Sequence, residues 1–263
     1  MSGSARIGRR DVPLSRILVL PDSQFGSEDR RLHRQFIAFI STYQPDRIVH
    51  VGDFLDCKAP ARWSRDTAEE FAHTLQEEID RGRAFLHGVR QVFSGPVDIK
   101  SGNHDERIEV YLRTKAPALQ SLRSLRIEAL LGLDQYNVGW HRQPFDVAPG
   151  WLICHGHEGS LSRYAGGTAI GLARKLGKSV VTGHTHRAGI ISESYGLPGN
   201  MKTITGMEVG HAMDMKKAAY LNAGANWQTA FGLLYVDGHR VTPTLVPVHK
   251  DGSFTVEGEV FGG

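Results

Sequence analysis

Five short apolar runs, each leading into a side chain that can bind a metal, are the feature that most restricts how this sequence can fold. Residues 16–22 (RILVLPD), 47–51 and 97–101 are such runs in the first half, and 151–155 and 178–182 follow in the second. Their length and β-branched content are typical of buried strands, and stretches with helical periodicity separate most of them. Strand–helix alternation followed by many short strands predicts an α/β fold with two packed mixed β-sheets flanked by helices, an α/β/β/α sandwich.

Periodicity and turn residues predict the remaining elements. Helices are predicted at 28–43, about 64–93 and 164–177, and two further helical pieces are predicted within about 106–131. Further strands are predicted near 188–194, 202–209, 219–223, 231–236 and 240–248, and Asp237-Gly238 predicts a hairpin turn between the last two. We expect a flexible tail over 1–15, a single domain over 16–250 with a helical insertion at about 59–95, and a C-terminal extension over 251–263.

Charge and cysteine content exclude several classes of protein. The formal net charge is +3 and only two cysteines occur, Cys57 and Cys154, so no disulfide framework is expected and the cytoplasm is the expected location. No apolar run approaches the length of a membrane span, so we expect no membrane partner. No dense stripe of Lys and Arg with interleaved aromatic residues occurs, which argues against tight binding of duplex nucleic acid.

The polar residues at the strand ends point to a metal site. Asp22, Asp53, Asn103 and His155 each follow a predicted strand, and a fifth strand runs into His184 and His186. Ligands of open α/β sheets gather beyond the carboxyl ends of the strands, so these side chains can converge on one crevice. Carboxylate and amide oxygens together with imidazole nitrogens suit Mn²⁺, Fe or Zn²⁺ better than Ca²⁺. The lack of cysteine among them argues against a structural zinc site.

The order of five motifs resembles that of the calcineurin-like metallophosphoesterases. These motifs are Asp-x-Gln (22–24), Gly-Asp-x-x-Asp (52–56), Gly-Asn-His-Asp (102–105), His-Gly-His (155–157) and Gly-His-Thr-His (183–186). Leu221–Gly224 also resembles the Asn-Pro-Gly strand of the family, and the resemblance covers about residues 16–240. Each motif alone is weak, because turn carboxylates and loop histidines are common. Their joint order, each after a strand, indicates the compact bacterial and bacteriophage members.

This resemblance implies a role for each residue of the motifs. Two divalent cations would be bound, with Asp53 bridging them. Asp22, Gln24 and His186 would complete one site, and Asn103, His155 and His184 the other. A hydroxide bridging the two metals would attack phosphorus in line. His104 resembles the catalytic histidine of the family, and either Asp105 or Asp56 would orient it.

One position departs from the family pattern, because residue 24 is glutamine where the first motif usually has histidine. A neutral amide oxygen is a weaker donor than imidazole, so we expect weaker metal binding there and a preference for Mn²⁺, with Fe, Zn²⁺, Ni²⁺ and Co²⁺ as alternatives. His155 ends its strand and is preferred to His157 as the ligand. Three residues are candidates for contact with the substrate: His157, Arg187 and His211.

Other histidines and the acidic helix have ordinary structural explanations. His50 is expected in the core, whereas His33, His73 and His87 are expected on solvated helix faces. The charged stretch at 64–93 predicts either a solvated helix face or a cap that restricts access to the metals.

Analogy with the family favours a metal-dependent phosphodiesterase that acts on small phosphodiesters, cyclic nucleotides included. Two alternatives remain open at this stage. A nuclease acting on RNA or single-stranded DNA would use the same chemistry but would need a basic groove. A non-catalytic metal-binding scaffold would explain Gln24, although it would not explain His104. The sequence does not determine the oligomeric state.

Overall fold

A computed structural model describes residues 14–218 and 224–263. Its strands, in chain order, are β1 (Ser15–Leu20), β2 (Arg47–His50), β3 (Val97–Lys100), β4 (Val138–His141), β5 (Phe145–Ala148), β6 (Trp151–Ile153), β7 (Ser179–Thr182), β8 (Ala188–Leu197), β9 (Asn200–Val209), β10 (Ala230–Asp237), β11 (Arg240–Pro247), β12 (Phe254–Val256) and β13 (Glu259–Phe261). The α-helices are α1 (Arg30–Tyr43), α2 (Leu75–Val92), α3 (Arg107–Lys115), α4 (Ile127–Leu131) and α5 (Gly167–Leu176).

Two mixed sheets form the centre of the fold. The first sheet has the order β11-β10-β1-β2-β3-β4, in which β1 to β4 are parallel and β10 and β11 are antiparallel. The second sheet has the order β5-β6-β7-β9-β8, with β6, β7 and β9 parallel. Parallel strands end at the same edge of a sheet, so each sheet has one edge where several strand ends meet.

Alternation along β1 shows how the layers are built. Ile17 and Val19 face the second sheet, where they join one apolar cluster with Val181 and Met207. The intervening residues, such as Leu18, face α1 and α2 in a separate cluster. A third cluster lies between α5 and the outer face of the second sheet. The layer order is therefore helices, sheet, sheet, helix, which confirms the predicted α/β/β/α sandwich.

The first helix forms where the periodicity predicted it. Asp29 caps α1, because its side chain accepts hydrogen bonds from the backbone N–H groups of Arg31 and Leu32. Leu32, Phe36 and Ile40 share its buried face at helical spacing. Gln44 ends the helix in a left-handed conformation.

Several predicted elements need correction. The long helix predicted at about 64–93 begins only at Leu75, and residues 59–74 form turns and bends. By contrast, the two helical pieces predicted within about 106–131 are present as α3 and α4, with two short 3₁₀ turns between them. Strands β4 and β5 were not predicted. Their alternation is short, and their burial depends on neighbouring strands that the local pattern does not contain.

The hairpin at Asp237-Gly238 is confirmed, since Asp237 pairs with Arg240 and Gly238 has a positive φ of 58°. The predicted strand at 219–223 and most of the predicted tail, residues 1–13, lie outside the described residues. In the C-terminal region, β12 and β13 form a hairpin, and Phe254 on β12 is fully buried against α1.

Both cysteines, Cys57 and Cys154, are free and fully buried. Burial raises the pKa of the Cys154 thiol to about 12, so this thiol is not a reactive nucleophile at neutral pH. None of the helices in residues 14–218 and 224–263 has both the length and the apolar character that crossing a membrane requires.

Candidate active site

Strand ends from both sheets meet at one cleft and bring together two groups of metal-binding side chains. Asp22, Asp53 and His186 form one group, and Asp53, His155 and His184 form the other. Within each group the candidate ligand atoms lie within 4.8 Å of one another. Asp53 belongs to both groups, so its carboxylate lies where a ligand shared by two cations would be.

The first group includes the position at which the sequence departs from the family. His186 Nε2 lies 3.2 Å from Asp22 Oδ2 and 3.2 Å from the side-chain amide of Gln24. The amide nitrogen of Gln24 faces His186, and a half-turn of the amide group would place its oxygen there instead. With the oxygen in that place, Gln24 would provide a neutral donor beside the carboxylates of Asp22 and Asp53.

The second group is joined by an amide oxygen. His155 Nε2 lies 3.1 Å from Asn103 Oδ1 and 3.2 Å from Asp53 Oδ1. His155 Nδ1 donates to the backbone carbonyl of Val51 at 3.0 Å. That bond places one proton on Nδ1, so Nε2, which faces two oxygen atoms, is the nitrogen that would bind a cation in place of its own proton.

Glycines in the motifs allow the loops to approach each other closely. A Cβ atom on Gly102 would lie 2.1 Å from the backbone nitrogen of Asp53, and a Cβ on Gly183 would lie 1.9 Å from Asp22 Oδ1. No residue with a side chain fits at either position without displacing a proposed ligand. The Gly-Asn and Gly-His pairs of the sequence are thus explained by contacts between loops that are far apart in the chain.

Four of the ten non-glycine residues with a left-handed φ in the described part of the chain are proposed ligands. Gln24, Asp53, His184 and His186 all have left-handed φ angles, of 46°, 48°, 66° and 57°. Residues other than glycine adopt this region at an energetic cost, and such residues cluster at functional sites. Hydrogen bonds between loops hold two of these turns, because His184 N donates to Asp22 Oδ2 at 2.8 Å and His104 N donates to Asp53 Oδ1 at 2.8 Å.

Charge at the centre is negative and buried. Asp22 and Asp53 are 0% and 1% exposed. Burial opposes protonation of His155, but the carboxylate of Asp53 outweighs it and raises the pKa of His155 to about 10. Burial is the largest influence on His184, and it lowers the pKa of that imidazole to about 4.

The donor set fits divalent cations. Buried carboxylates are costly unless a cation neutralises them. Asp22 Oδ1 and His186 Nδ1 are buried polar atoms without a hydrogen-bond partner among the described residues. Oxygen donors mixed with imidazole nitrogens suit transition-metal ions of intermediate softness. The residues present therefore fit the two divalent ions that the family implies.

His104 lies beside the shared carboxylate. Its Nε2 is 3.7 Å from Asp53 Oδ2, and its Nδ1 is 3.2 Å from Asp56 Oδ1. Burial works against its protonation, but Asp53 and Asp56 outweigh burial and raise the pKa of His104 above its ordinary value. The side chain is 19% exposed, so the ring reaches the cleft.

Asp56, rather than Asp105, orients His104. The carboxylate of Asp105 accepts hydrogen bonds from the backbone N–H groups of Phe54, Leu55 and Gly102. These bonds tie the two loops together beneath Asp53 and Asn103. Of the two carboxylates predicted to orient His104, Asp105 is therefore not the one that contacts it, because both of its oxygens accept from backbone N–H groups.

A buried chain of hydrogen bonds behind the first group was not predicted. Ser23 Oγ lies 2.8 Å from His50 Nε2 and 2.9 Å from His33 Nε2. His50 Nδ1 accepts from Gly52 N, and His33 Nδ1 donates to the carbonyl of Asp29. His50 must therefore donate to Ser23, and Ser23 must donate to His33, so both imidazoles are neutral.

This chain shows that one expectation about histidines was right and another wrong. His50 is buried as expected, but His33 is 4% exposed rather than solvated. Burial is the main influence on His50 and lowers its pKa to about 3. The spacing of His33 from Phe36 and Ile40 on one helix face was the signal that could have indicated burial.

The three predicted substrate contacts have different surroundings. The ring of His157 is 5.3 Å from that of His155 and 6.1 Å from that of His184, so it borders the second group. Arg187 donates from Nη1 to the carbonyl of Ser162, which holds its guanidinium on a loop.

His211 is fully buried, which contradicts a direct contact with substrate. Its backbone forms a bridge with Asp22, so its ring is drawn inwards, 5.6 Å from that of His186. Trp227, which was not predicted, packs edge-on against His186 with ring centroids 4.3 Å apart.

The chain is similar to several known proteins. Residues 15–188 match the calcineurin-like phosphoesterase family. The chain is 42% identical over 251 residues to the Gene 54 protein of Mycobacterium phage L5, with 94% of this chain and 98% of that protein covered. The Gene 54 protein of Mycobacterium phage D29 is 41% identical over 251 residues, covering 94% of this chain and 98% of that protein. Among solved structures, Chaetomium thermophilum Vps29 is similar over 94% of this chain and 98% of its own, with 15% identity and a TM-score of 0.48. The chain belongs to the calcineurin-like phosphoesterase family, as the order of its motifs predicted.

Proposed function

We propose that this phosphoesterase is a metal-dependent phosphodiesterase that hydrolyses small phosphodiesters, cyclic nucleotides included. The observation that carries the proposal is the position of His104, which contacts Asp53 where the two ligand groups share it. A proton donor beside a pair of cation sites is the arrangement that phosphoester hydrolysis needs, because both the attacking and the leaving oxygen require charge stabilisation.

Seven residues would hold the metals: Asp22, Gln24, Asp53, Asn103, His155, His184 and His186. Two bound divalent cations would supply an activated water and would stabilise charge on the phosphoryl oxygens. We favour Mn²⁺, because four of the seven donors are oxygens when Gln24 and Asn103 present theirs, and a neutral amide does not favour softer ions.

His104 would act as the general acid. Asp56 accepts from Nδ1, which leaves Nε2 directed at the substrate side and carrying a proton in the charged form. Its raised pKa keeps it protonated closer to neutral pH, so it can donate to the leaving alcohol oxygen.

One feature supports a diester over a monoester. A cavity of about 720 Å³ borders Gln24 and His104 and leaves room for a second ester arm, which a monoester does not have.

The test is an assay of metal-free protein to which Mn²⁺ is added back, with bis-p-nitrophenyl phosphate beside p-nitrophenyl phosphate. We expect cleavage that depends on Mn²⁺ and is faster for the diester. On a poorly activated diester, whose leaving alcohol oxygen needs a proton, His104→Ala should lower kcat by about 100-fold or more, since general acid catalysis contributes about 10²–10⁴-fold. His239→Ala, at an exposed histidine in the β10–β11 turn, is the matched control and should retain full activity.

Other outcomes would favour the alternatives. No cleavage of either ester with Mn²⁺, Ni²⁺, Co²⁺ or Zn²⁺ would contradict the proposal and favour a metal-binding scaffold. Cleavage of single-stranded RNA or DNA far above that of small diesters, with strong salt dependence, would favour a nuclease.

A further inference from the structure

The cavity beside His104 contains features that catalysis alone does not explain. Residues from four regions line it: Gln24 with Ser27, the segment from Asp56 to Glu69 that contains the loop Lys58–Ser64, His104 with Arg107, and Met213 with Lys217. Its volume of about 720 Å³ is within the range of about 300–1,000 Å³ that is usual for small-ligand sites. It opens onto the side of the cleft where His104 would protonate the leaving group, so its occupant would be the leaving arm of the diester.

An exposed tryptophan lines this cavity. Trp63 is 68% exposed, and it lies between Ala61 and Ser64, which are 6% and 2% exposed. The loop is closed by its own hydrogen bonds, from Ser64 Oγ to the carbonyl of Lys58 at 2.7 Å and from Ala61 N to the same carbonyl at 3.0 Å. The indole is therefore presented to solvent by an anchored turn.

One face of the indole is already occupied by a cation. The guanidinium carbon of Arg62 lies 3.7 Å from the centroid of the Trp63 ring. A cation on one face leaves the opposite face for a flat, electron-rich partner. Nucleobases are such partners, and they stack on aromatic side chains irrespective of sequence.

Charges at the cavity wall suit an anionic ligand. Lys217 Nζ donates to a backbone carbonyl, that of Gly26, at 2.8 Å, and this neutral acceptor does not balance its charge. Lys58 lies 3.6 Å from Asp56, which also accepts from His104. Arg107 also lines the wall, with its Nη1 3.6 Å from Asp56 Oδ1, so the wall has three cationic side chains and two acidic ones, Asp56 and Glu69.

We propose that this cavity binds the nucleoside leaving arm of a small nucleotide diester, with the base stacked on Trp63. This inference rests on the proposed function and narrows its substrate class. Trp63 is a specificity-determining residue, and it would contact the substrate about one nucleoside away from the phosphorus atom that is attacked.

The experiment is a double-mutant cycle between the base and the indole. Wild-type protein and Trp63→Ala are assayed on a deoxydinucleoside monophosphate and on its analogue that lacks the leaving-side base. We expect Trp63→Ala to lower kcat/KM for the full dinucleotide about 5- to 150-fold more than for the abasic analogue, from the stacking energy of one base. Trp63→Phe, which keeps an aromatic ring, should retain part of the base-dependent kcat/KM that Trp63→Ala loses.

Phe71→Ala is the matched control, because Phe71 lies in the same turn region, is 67% exposed and does not line the cavity. It should change the ratio of the two substrates by less than about twofold. Equal losses on both substrates in Trp63→Ala would overturn the proposal, as would the same base-dependent loss in Phe71→Ala. Preference for long single-stranded oligonucleotides over the dinucleotide would also overturn it.

A binding measurement separates failure of this inference from failure of the proposed function. Cleavage of bis-p-nitrophenyl phosphate without any base-dependent effect would overturn only the inference. If no ester is cleaved, titration of Mn²⁺-loaded protein with deoxyadenosine monophosphate still tests whether a base stacks on Trp63. Quenching of tryptophan fluorescence in wild type that is lost in Trp63→Phe supports stacking on Trp63, and identical titrations of the two proteins overturn it.

Discussion

Glu78 on α2 should make the protein less stable as the pH rises, and Glu78→Gln should remove this dependence. The side chain is 3% exposed, and its Oε2 accepts from the backbone N–H of Cys57 at 2.6 Å. Burial is the main reason that its pKa is raised from 4.5 to about 7, and the nearby charge of Asp56 adds to the effect. The carboxyl is therefore protonated in the folded protein over a pH range in which the unfolded chain has already lost the proton.

The sign and size follow from proton linkage. The folded state binds more protons than the unfolded state between about pH 4.5 and pH 7, so the free energy of unfolding falls as pH rises through that window. The rise of the pKa from 4.5 to about 7 corresponds to a total loss of about 3 kcal/mol in the free energy of unfolding. About 2.5 kcal/mol of this loss occurs between pH 5 and pH 8. Glutamine stays neutral, and its amide oxygen can still accept from Cys57 N.

Urea unfolding of metal-free protein at several pH values measures this effect. The difference in free energy of unfolding between Glu78→Gln and wild type should grow in favour of the variant by about 2.5 kcal/mol from pH 5 to pH 8. The control is Glu77→Gln, because Glu77 is 61% exposed and pairs with Arg81 one turn away. Its difference from wild type should stay within about 1 kcal/mol and should not change with pH. A difference for Glu78→Gln that is constant across the range would refute the reasoning.

Three further substitutions test the site. Gln24→His replaces an amide by imidazole beside Asp22 and should tighten Mn²⁺ or Zn²⁺ binding by about tenfold in calorimetry; unchanged affinity would mean that residue 24 is not a ligand. Asp56→Asn removes a carboxylate that raises the pKa of His104, so the alkaline limb of the pH–rate profile should move to lower pH and kcat should fall about 10–100-fold. An unmoved limb would exclude His104 as the acid. Ser23→Ala leaves His50 and His33 without their shared hydrogen-bond partner and should lower the free energy of unfolding in urea by about 1–3 kcal/mol. Ser194→Ala, at an exposed strand position, should lower it by less than about 0.5 kcal/mol. Equal effects of the two substitutions would contradict the buried chain of hydrogen bonds.

Local pattern predicted the elements that position the site, and it failed where burial depends on distant parts of the chain. Helix α1 and strand β1 match their predicted ranges closely, because both have a clear period and a clear end. The acidic stretch before Leu75 has helix-forming residues but no continuous apolar face, so nothing holds residues 59–74 in a helix. Those turns carry Trp63 to the cavity, which periodicity alone did not reveal.

Among the site residues, the sequence by itself determined which side chains could meet. The proposed metal ligands follow strands, and strands that run parallel must end at the same edge. The pattern therefore places Asp22 and Asp53 at one edge of the first sheet, whereas the packing of the two sheets decides that His155 joins them there. The glycines beside them belong to the same local signal.

Only the tertiary structure decided which of several chemically similar side chains contacts a given site residue. Asp56 and Asp105 lie on either side of His104 in the motifs. Asp56 contacts the imidazole, whereas the carboxylate of Asp105 accepts hydrogen bonds from three backbone N–H groups. His211 is buried because its backbone forms bridges with Asp22 and Thr229, of which Asp22 is far away in the sequence. The sequence determines the kinds of donor that a strand end can offer, whereas the partner that each donor finds depends on how loops far apart in the chain pack together. That packing is set by long-range burial and cannot be read from spacing.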